Sequence, residues 1–193
     1  TVESLPKVEQ DGKVYIFKIK PGIYFTNDPA FKGKRRELVA EDYVYTIKRI
    51  LDPKNRAPSV SFIDGKLQGA DAVVAQAKKT GKFDYATPIA GVKALDRYTL
   101  QFTLTRQDFN FPYILAYITF GAVAKEVVDY YGDRIGMHPV GTGPYMLSKY
   151  VPRSKVELVA NPDYRGFVWN FKSTGTPWDN QLVKEMSGKK MPQ

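Results

Sequence analysis

Ten residues near the start of the chain, Asp11-Gly12-Lys13-Val14-Tyr15-Ile16-Phe17-Lys18-Ile19-Lys20, do most to limit its fold. Val14, Ile16 and Lys18 fall on one side of an extended backbone, and Tyr15, Phe17 and Ile19 on the other. That alternation is a strand's period, and it predicts one face well buried and the other partly so. Asp11-Gly12 suits a turn at its start, and Pro21-Gly22 breaks it. Ile23-Tyr24-Phe25 then resumes an extended path, before a polar loop over 26–37.

The pattern next changes to a helix's. Within 40–51, Val44, Ile47, Ile50 and Leu51 make one apolar stripe. Glu41 and Asp42 open the segment and Lys48 and Arg49 close it, which suits the helix dipole. Asp52-Pro53 stops it, since a residue before proline is pushed out of the α region. Residues 54–69 look irregular, and a second helix is expected over 71–79, ended by Thr80-Gly81. Ile89–Leu95 and Tyr98–Thr105 read as a strand pair turning at Asp96-Arg97. Phe109–Tyr117 reads as a buried helix, and Lys125–Tyr131 as a short one closed by Gly132. Tyr145–Tyr150 and Lys155–Ala160 form another strand pair around Pro152-Arg153-Ser154, ended by Asn161-Pro162. From 166 onward no periodic element stands out. Hairpins mixed with segregated helices define an α+β (mixed α/β) class, a small, mostly antiparallel sheet with flanking helices.

Composition narrows the function classes. Aromatic residues make up 13% of the 193 and are spread along the whole chain, which argues against disorder. No apolar run approaches the ~18 residues that span a membrane. The absence of Cys removes disulfides, thiolate metal sites and Cys nucleophiles together, and is compatible with export. With Thr1 in place of an initiator Met, and no closing element at Lys189-Lys190-Met191-Pro192-Gln193, both ends are expected to be cuts. The net charge of +9 suits either an anionic partner or a solvated basic surface. Its spread favours the surface: Lys32–Arg36 is the densest run, and no basic stripe alternates with aromatics as an RNA-binding sheet requires.

No catalytic constellation emerges. Gly141-x-Gly143 lacks the spacing of a phosphate loop and runs into Pro144, so it reads as a turn. His138 is the only histidine and sits between Met137 and Pro139, which suits a loop better than a triad or metal site. Glu41 and Asp42 are neighbours on a helix and point about 100° apart, so they are no acid/base pair. The aromatic stretches Tyr113–Phe120 and Tyr130-Tyr131 suit core packing or stacking on a ligand, with Tyr117 and Phe120 at a helix end as candidates for exposure. No enzyme activity, cofactor or metal is expected.

Four blocks in order resemble the peptide-type bacterial extracellular solute-binding proteins of family 5. They are DGKVYIFKIKPGIYF, LVAEDYVYTIKRILDP, AGVKALDRYTLQFTLTRQDFNFPYIL and PVGTGPYMLSKYVPRSKVELVANPDYRG, together covering roughly residues 10 to 166. The resemblance is similar to the family's pattern in spacing, with two departures. NDPAFKGKRR at 27–36 replaces a short turn with a longer basic loop, and Leu5 stands where the family has Trp.

The resemblance implies one subdomain of a two-lobed, type II periplasmic-binding-protein-like fold that closes on its ligand by hinge motion. Residues 1–193 would be a single partial domain. Within it 40–140 would form the smaller subdomain of the first lobe, while 1–39 and 141–193 connect to parts outside the chain. It also implies the substrate-binding component of an ABC importer. Such a protein is periplasmic or sits on the outer face of the cytoplasmic membrane, is monomeric, and hands a peptide or similar small solute to permease subunits. The alternative is a basic domain binding nucleic acid or another anionic polymer. By the same resemblance Ser59 and Phe62, in the loop after the first helix, and Tyr117 and Phe120 would face the ligand, Ser59 standing where relatives often carry Tyr.

Overall fold

The computed structural model describes residues 1–191. The chain divides into two compact units, Thr1–Gly141 and a second from Thr142 onward. The first unit runs β1 (Lys7–Glu9), β2 (Val14–Lys18), α1 (Ala40–Leu51), α2 (Ala70–Thr80), β3 (Val92–Asp96), β4 (Thr99–Thr103), α3 (Phe111–Leu115) and α4 (Lys125–Tyr131). Its strands form one sheet in the order β1-β2-β4-β3, every neighbouring pair antiparallel. The α+β architecture with a small antiparallel sheet is therefore the observed one.

The alternation in β2 sets the layering. Tyr15 opposes Phe102 and Phe17 opposes Leu100 across the β2–β4 ladder. Tyr15, Ile19, Leu100 and Phe102 are buried in one core cluster with Val44, Ile47, Ile50 and Leu51 of α1. The expected apolar stripe of α1 is thus the face that packs, each such side chain contributing roughly 1.5–3 kcal/mol. Phe111 anchors α3 in the same core, its ring 5.6 Å from Tyr15 and 5.2 Å from Phe102. Tyr15 satisfies its buried hydroxyl by donating to the Asp108 carbonyl at 2.8 Å.

Both ends of α1 are fixed by side chains. Asp42 is more than a dipole charge: it is buried, and it accepts from the Val39 amide at 2.8 Å, closing the N-terminus. Arg36 neutralises it with two bonds, at 2.6 and 3.2 Å, and holds Glu126 of α4 at 2.8 Å. The long basic loop is therefore tied down at its end to two helices. At the other end Asp52 accepts from the Lys54 amide at 2.9 Å and the Tyr85 hydroxyl at 2.8 Å. The buried Lys48 donates to the Tyr85 carbonyl at 2.8 Å, and its charge also acts on the Asp84 carboxylate.

Two local expectations need correction. Asp96 pairs with Thr99, so the hairpin turns at Arg97-Tyr98, one residue later than expected. The Asp96 carboxylate decides this, accepting from the Tyr98 amide at 2.8 Å and the Thr99 hydroxyl at 2.7 Å. The helix expected over Phe109–Tyr117 shrinks to Phe111–Leu115, and only Phe111 in it is buried. Asp108 accepts from the Asn110 amide at 3.0 Å and so delays its start, leaving Phe109 exposed.

The second unit contains β5 (Tyr145–Val151), β6 (Lys155–Ala160), β7 (Phe167–Val168), α5 (Pro177–Met186) and β8 (Lys190–Met191). β5 and β6 form the expected hairpin, with Arg153 at a left-handed φ of 62° in its turn. Asn161 closes the open end: its amide and Nδ2 donate to the Pro144 and Gly143 carbonyls, both at 2.8 Å. α5 falls where no periodic element is expected, and β7 pairs with β8.

Candidate functional site

One face of the β2–β4 ladder does not close against a helix along its whole length. Phe17 of β2, Ile19 just past its end, and Leu100 and Phe102 of β4 line a cleft of about 560 Å³. Tyr43 and Ile47 of α1 make one wall, and Pro112 and Leu115 of α3 another. Tyr117, Phe120, Val2, Leu5 and Pro6 are also among its lining residues. No Asp, Glu, Lys, Arg or His side chain is among the lining residues.

Of the expected site residues Tyr117 and Phe120 line the cleft, whereas Phe62 and Ser59 do not, and Phe62 reaches it only through its ring contacts. Phe62 ends the 3-10 turn Pro58–Phe62, and that turn places its ring 5.5 Å from Tyr117 and 6.5 Å from Phe120. Tyr117 is half exposed and Phe62 nearly so, giving an open aromatic rim. Phe120, a candidate for exposure in the sequence, is 3% exposed and forms the inner edge of that rim. It is drawn in because Ile118–Phe120 is itself a 3-10 turn, which points the intervening Ile118 outward and Phe120 to the core. Ser59 sits in the same turn as Phe62 but is buried and does not line the cleft.

Phe17 and Tyr43 also line the cleft, and sequence reasoning places neither there. The signal is faint: Phe17 shares a strand face with two fully buried residues, Tyr15 and Ile19, yet is only partly covered. Where an alternating strand loses its cover depends on how far the short α3 reaches, which the strand itself does not encode.

Asp, Glu, Lys, Arg and His side chains lie outside the cleft's lining, and several serve the fold. Lys66 pairs with Asp108 at 2.5 Å, which holds that carboxyl below its ordinary value. Glu37 accepts from Arg97 and Tyr98 at 2.9 Å and from the Gly22 amide at 2.7 Å. Arg97 foremost, and then that amide, hold its carboxyl below the usual range. His138 stacks flat on Tyr131 with 3.8 Å between ring centres, and Tyr131 donates to Asp28 at 3.0 Å. Among the described residues no three His, Cys, Asp or Glu side chains gather as metal ligands. No helix among them is long and apolar enough to cross a membrane.

The model of bacterial extracellular solute-binding proteins, family 5, matches residues 1–184, and the chain belongs to that family. Di/tripeptide-binding protein 2 of Pseudomonas aeruginosa is 28% identical over 163 residues, covering 81% of this chain and 28% of that protein. The probable deoxycholate-binding periplasmic protein YgiS of Escherichia coli is 31% identical over 157 residues, covering 80% of this chain and 27% of that protein. Among solved structures, Listeria monocytogenes OppA bound to peptide superposes with a TM-score of 0.70 at 25% identity, over 85% of this chain and 30% of that one. The substrate-binding domain of an oligopeptide ABC transporter from Bacillus anthracis gives 0.69 at 27% identity, over 85% and 29%. The chain thus spans between a quarter and a third of the length of these relatives. The family is one of solute-binding proteins and not of enzymes.

Proposed function

We propose that this chain is part of the substrate-binding component of an ABC importer, which captures a peptide or similar small solute outside the cytoplasmic membrane and delivers it to the permease. The family match over residues 1–184 carries this reading, and relatives named for peptide binding support it. The whole protein is exported, works as a monomer, and has the membrane permease subunits as its partners.

In this reading residues 40–140 supply the smaller subdomain of the first lobe, and 1–39 and 141–193 run on into the remainder. Phe62, Tyr117 and Phe120 present the aromatic rim to the solute, and Ser59 shapes the turn that carries Phe62. The nucleic-acid alternative has no support in the relatives found. The net charge of +9 motivated it, and in the densest basic run Arg36 pairs with Asp42 and Glu126 while Arg35 lies 3.9 Å from the centre of the Tyr24 ring.

The test is native mass spectrometry of the complete gene product, freshly purified. A discrete mass increment that vanishes on denaturation supports capture and identifies the solute class. A bare mass that stays unchanged after mixing with a peptide pool removes peptides from the reading. Retention on DNA at about 50 mM salt, falling steeply as salt rises, would revive the anionic-polymer alternative.

A further inference from the structure

Resting on the solute-capture reading, we infer that Tyr85 is a positioning residue for the connector 53–62, which carries Ser59 and Phe62. Through its hydroxyl it fixes where the Phe62 ring stands against Tyr117 and Phe120. The connector hangs between two fixed ends. At the far end is Ile63, fully buried in the core. The near end is a knot of side chains at the close of α1. There the Tyr85 hydroxyl donates to Asp52 Oδ2 at 2.8 Å, and the Lys54 amide to Oδ1 at 2.9 Å. Asn55 donates from Nδ2 to the Arg49 carbonyl at 2.8 Å and to the Tyr85 hydroxyl oxygen at 3.3 Å.

The other members of the knot come from 48–55, so Tyr85 is what joins this turn to the distant connector between α2 and β3. Its bond reaches a buried carboxylate, the strong class of hydrogen bond. The ring itself is held independently of the hydroxyl, 5.5 Å from Tyr45 and 5.1 Å from Phe83, and its carbonyl accepts from Lys48 at 2.8 Å. Burial foremost, then the bond to Asp52, push the phenol above its ordinary 10.0, so it stays a donor at neutral pH. Beyond the knot the path to Phe62 is stiff. Arg56 is left-handed, with φ 48°, and Pro58, its own φ fixed, opens the 3-10 turn that ends at Phe62. A direction set at Asn55 is therefore carried along to the Phe62 ring.

The experiment uses the complete gene product and compares two variants with the parent. Tyr85→Phe keeps the ring and removes the hydroxyl; Tyr45→Phe makes the same deletion on the adjoining ring. Amide exchange over 53–64, read by mass spectrometry, is expected to run about tenfold faster in Tyr85→Phe, the equivalent of one lost bond to a charged group. Exchange over 40–51 and 92–103 stays unchanged, and Tyr45→Phe matches the parent. The mass increment carried by the freshly purified protein is then lost about threefold faster on dilution from Tyr85→Phe than from the parent. Unchanged exchange over 53–64 overturns the inference, and so does a loosened connector that releases the increment at the parent's rate. Faster exchange throughout, 40–51 included, marks a general loss of stability and also overturns it. A parent without any mass increment brings down the solute-capture reading instead, while exchange over 53–64 still decides whether Tyr85 fixes the connector.

Discussion

At the residue scale, the close approaches in this unit identify positions that composition alone passes over. Gly91 has an ordinary φ, so nothing local demands a glycine there. A Cβ at this position would stand 2.5 Å from the Gln68 nitrogen and 2.8 Å from the Leu67 carbonyl carbon. Both are backbone atoms that cannot swing away, and Gly91 itself donates to the Gln68 carbonyl at 2.7 Å. Gly91→Ala is therefore expected to cost about 1–3 kcal/mol, the range for overpacking, as a fall in the denaturant midpoint. Gly81 is the control for conformation without crowding: its φ is +71° and its Cβ would meet nothing. Arg36 is the other consequential residue. Arg36→Ala strands the Asp42 carboxylate, and a buried charge left without its partner costs roughly 3–5 kcal/mol. The loss is to be read by urea unfolding, with Arg36→Lys recovering only part because a single ammonium cannot reproduce the forked contact. The sequence shows Asp42 only as a first-turn acid; that it is buried, and that Arg36 six residues earlier reaches it, follows from the loop folding back.

At the element scale, what was legible is what local chemistry decides. α1 carries its bounds in sequence because an apolar stripe, end charges and Asp52-Pro53 all agree, and the structure places it over Ala40–Leu51 as expected. The β5–β6 hairpin is readable for the same reason, with alternation, a Pro152-Arg153-Ser154 turn and a closing Asn161. β1 and α5 escape because their pattern is weak. α5 fully buries none of its residues, its stripe of Trp178, Leu182, Val183 and Met186 is short, and its clearest signal is Thr176-Pro177 with Asp179 behind it. The Thr176 hydroxyl accepts from the Asp179 amide at 3.2 Å, and Pro177 sits where its missing N–H costs nothing. With only partial packing from Leu182, Val183 and Met186, that cap is a notable share of what holds the helix. Thr176→Ala should remove about 1 kcal/mol. It is expected to melt α5 before the rest of the chain, seen as faster amide exchange over 177–186 and unchanged exchange in α1. In the cleft, periodicity shows which face of β2 is apolar; which part of that face stays uncovered depends on the length of α3, a tertiary outcome.

At the scale of the whole molecule, acid response can be argued from how the carboxylates are held. Glu37 joins the Gly22 turn to the β3–β4 hairpin, and its bonds to Arg97 and the Gly22 amide lower its pKa below the ordinary 4.5. A group with a lowered folded pKa stabilises above the unfolded value, and that stability is lost as pH falls through the folded one. Glu126 acts in the same direction: burial alone pushes its pKa up, but the hydrogen bonds and charge of Arg36 leave it lowered. Asp42 opposes them. Burial raises it above its ordinary 3.8 even with Arg36 beside it, so its protonation favours the folded state as pH falls. Lys66 lowers Asp108 as well, so the lowered carboxylates outnumber the raised one. The melting temperature is therefore expected to hold from pH 7 down to the ordinary glutamate value of 4.5 and to fall below it. Glu37→Gln keeps the shape, removes the titration and should flatten that descent, at the cost of a lower melting temperature at pH 7. A descent of undiminished steepness in this variant would mean that the clamp between the two turns contributes nothing to acid stability. The burden would then rest on the Arg36–Glu126 contact, which Glu126→Gln tests in the same way.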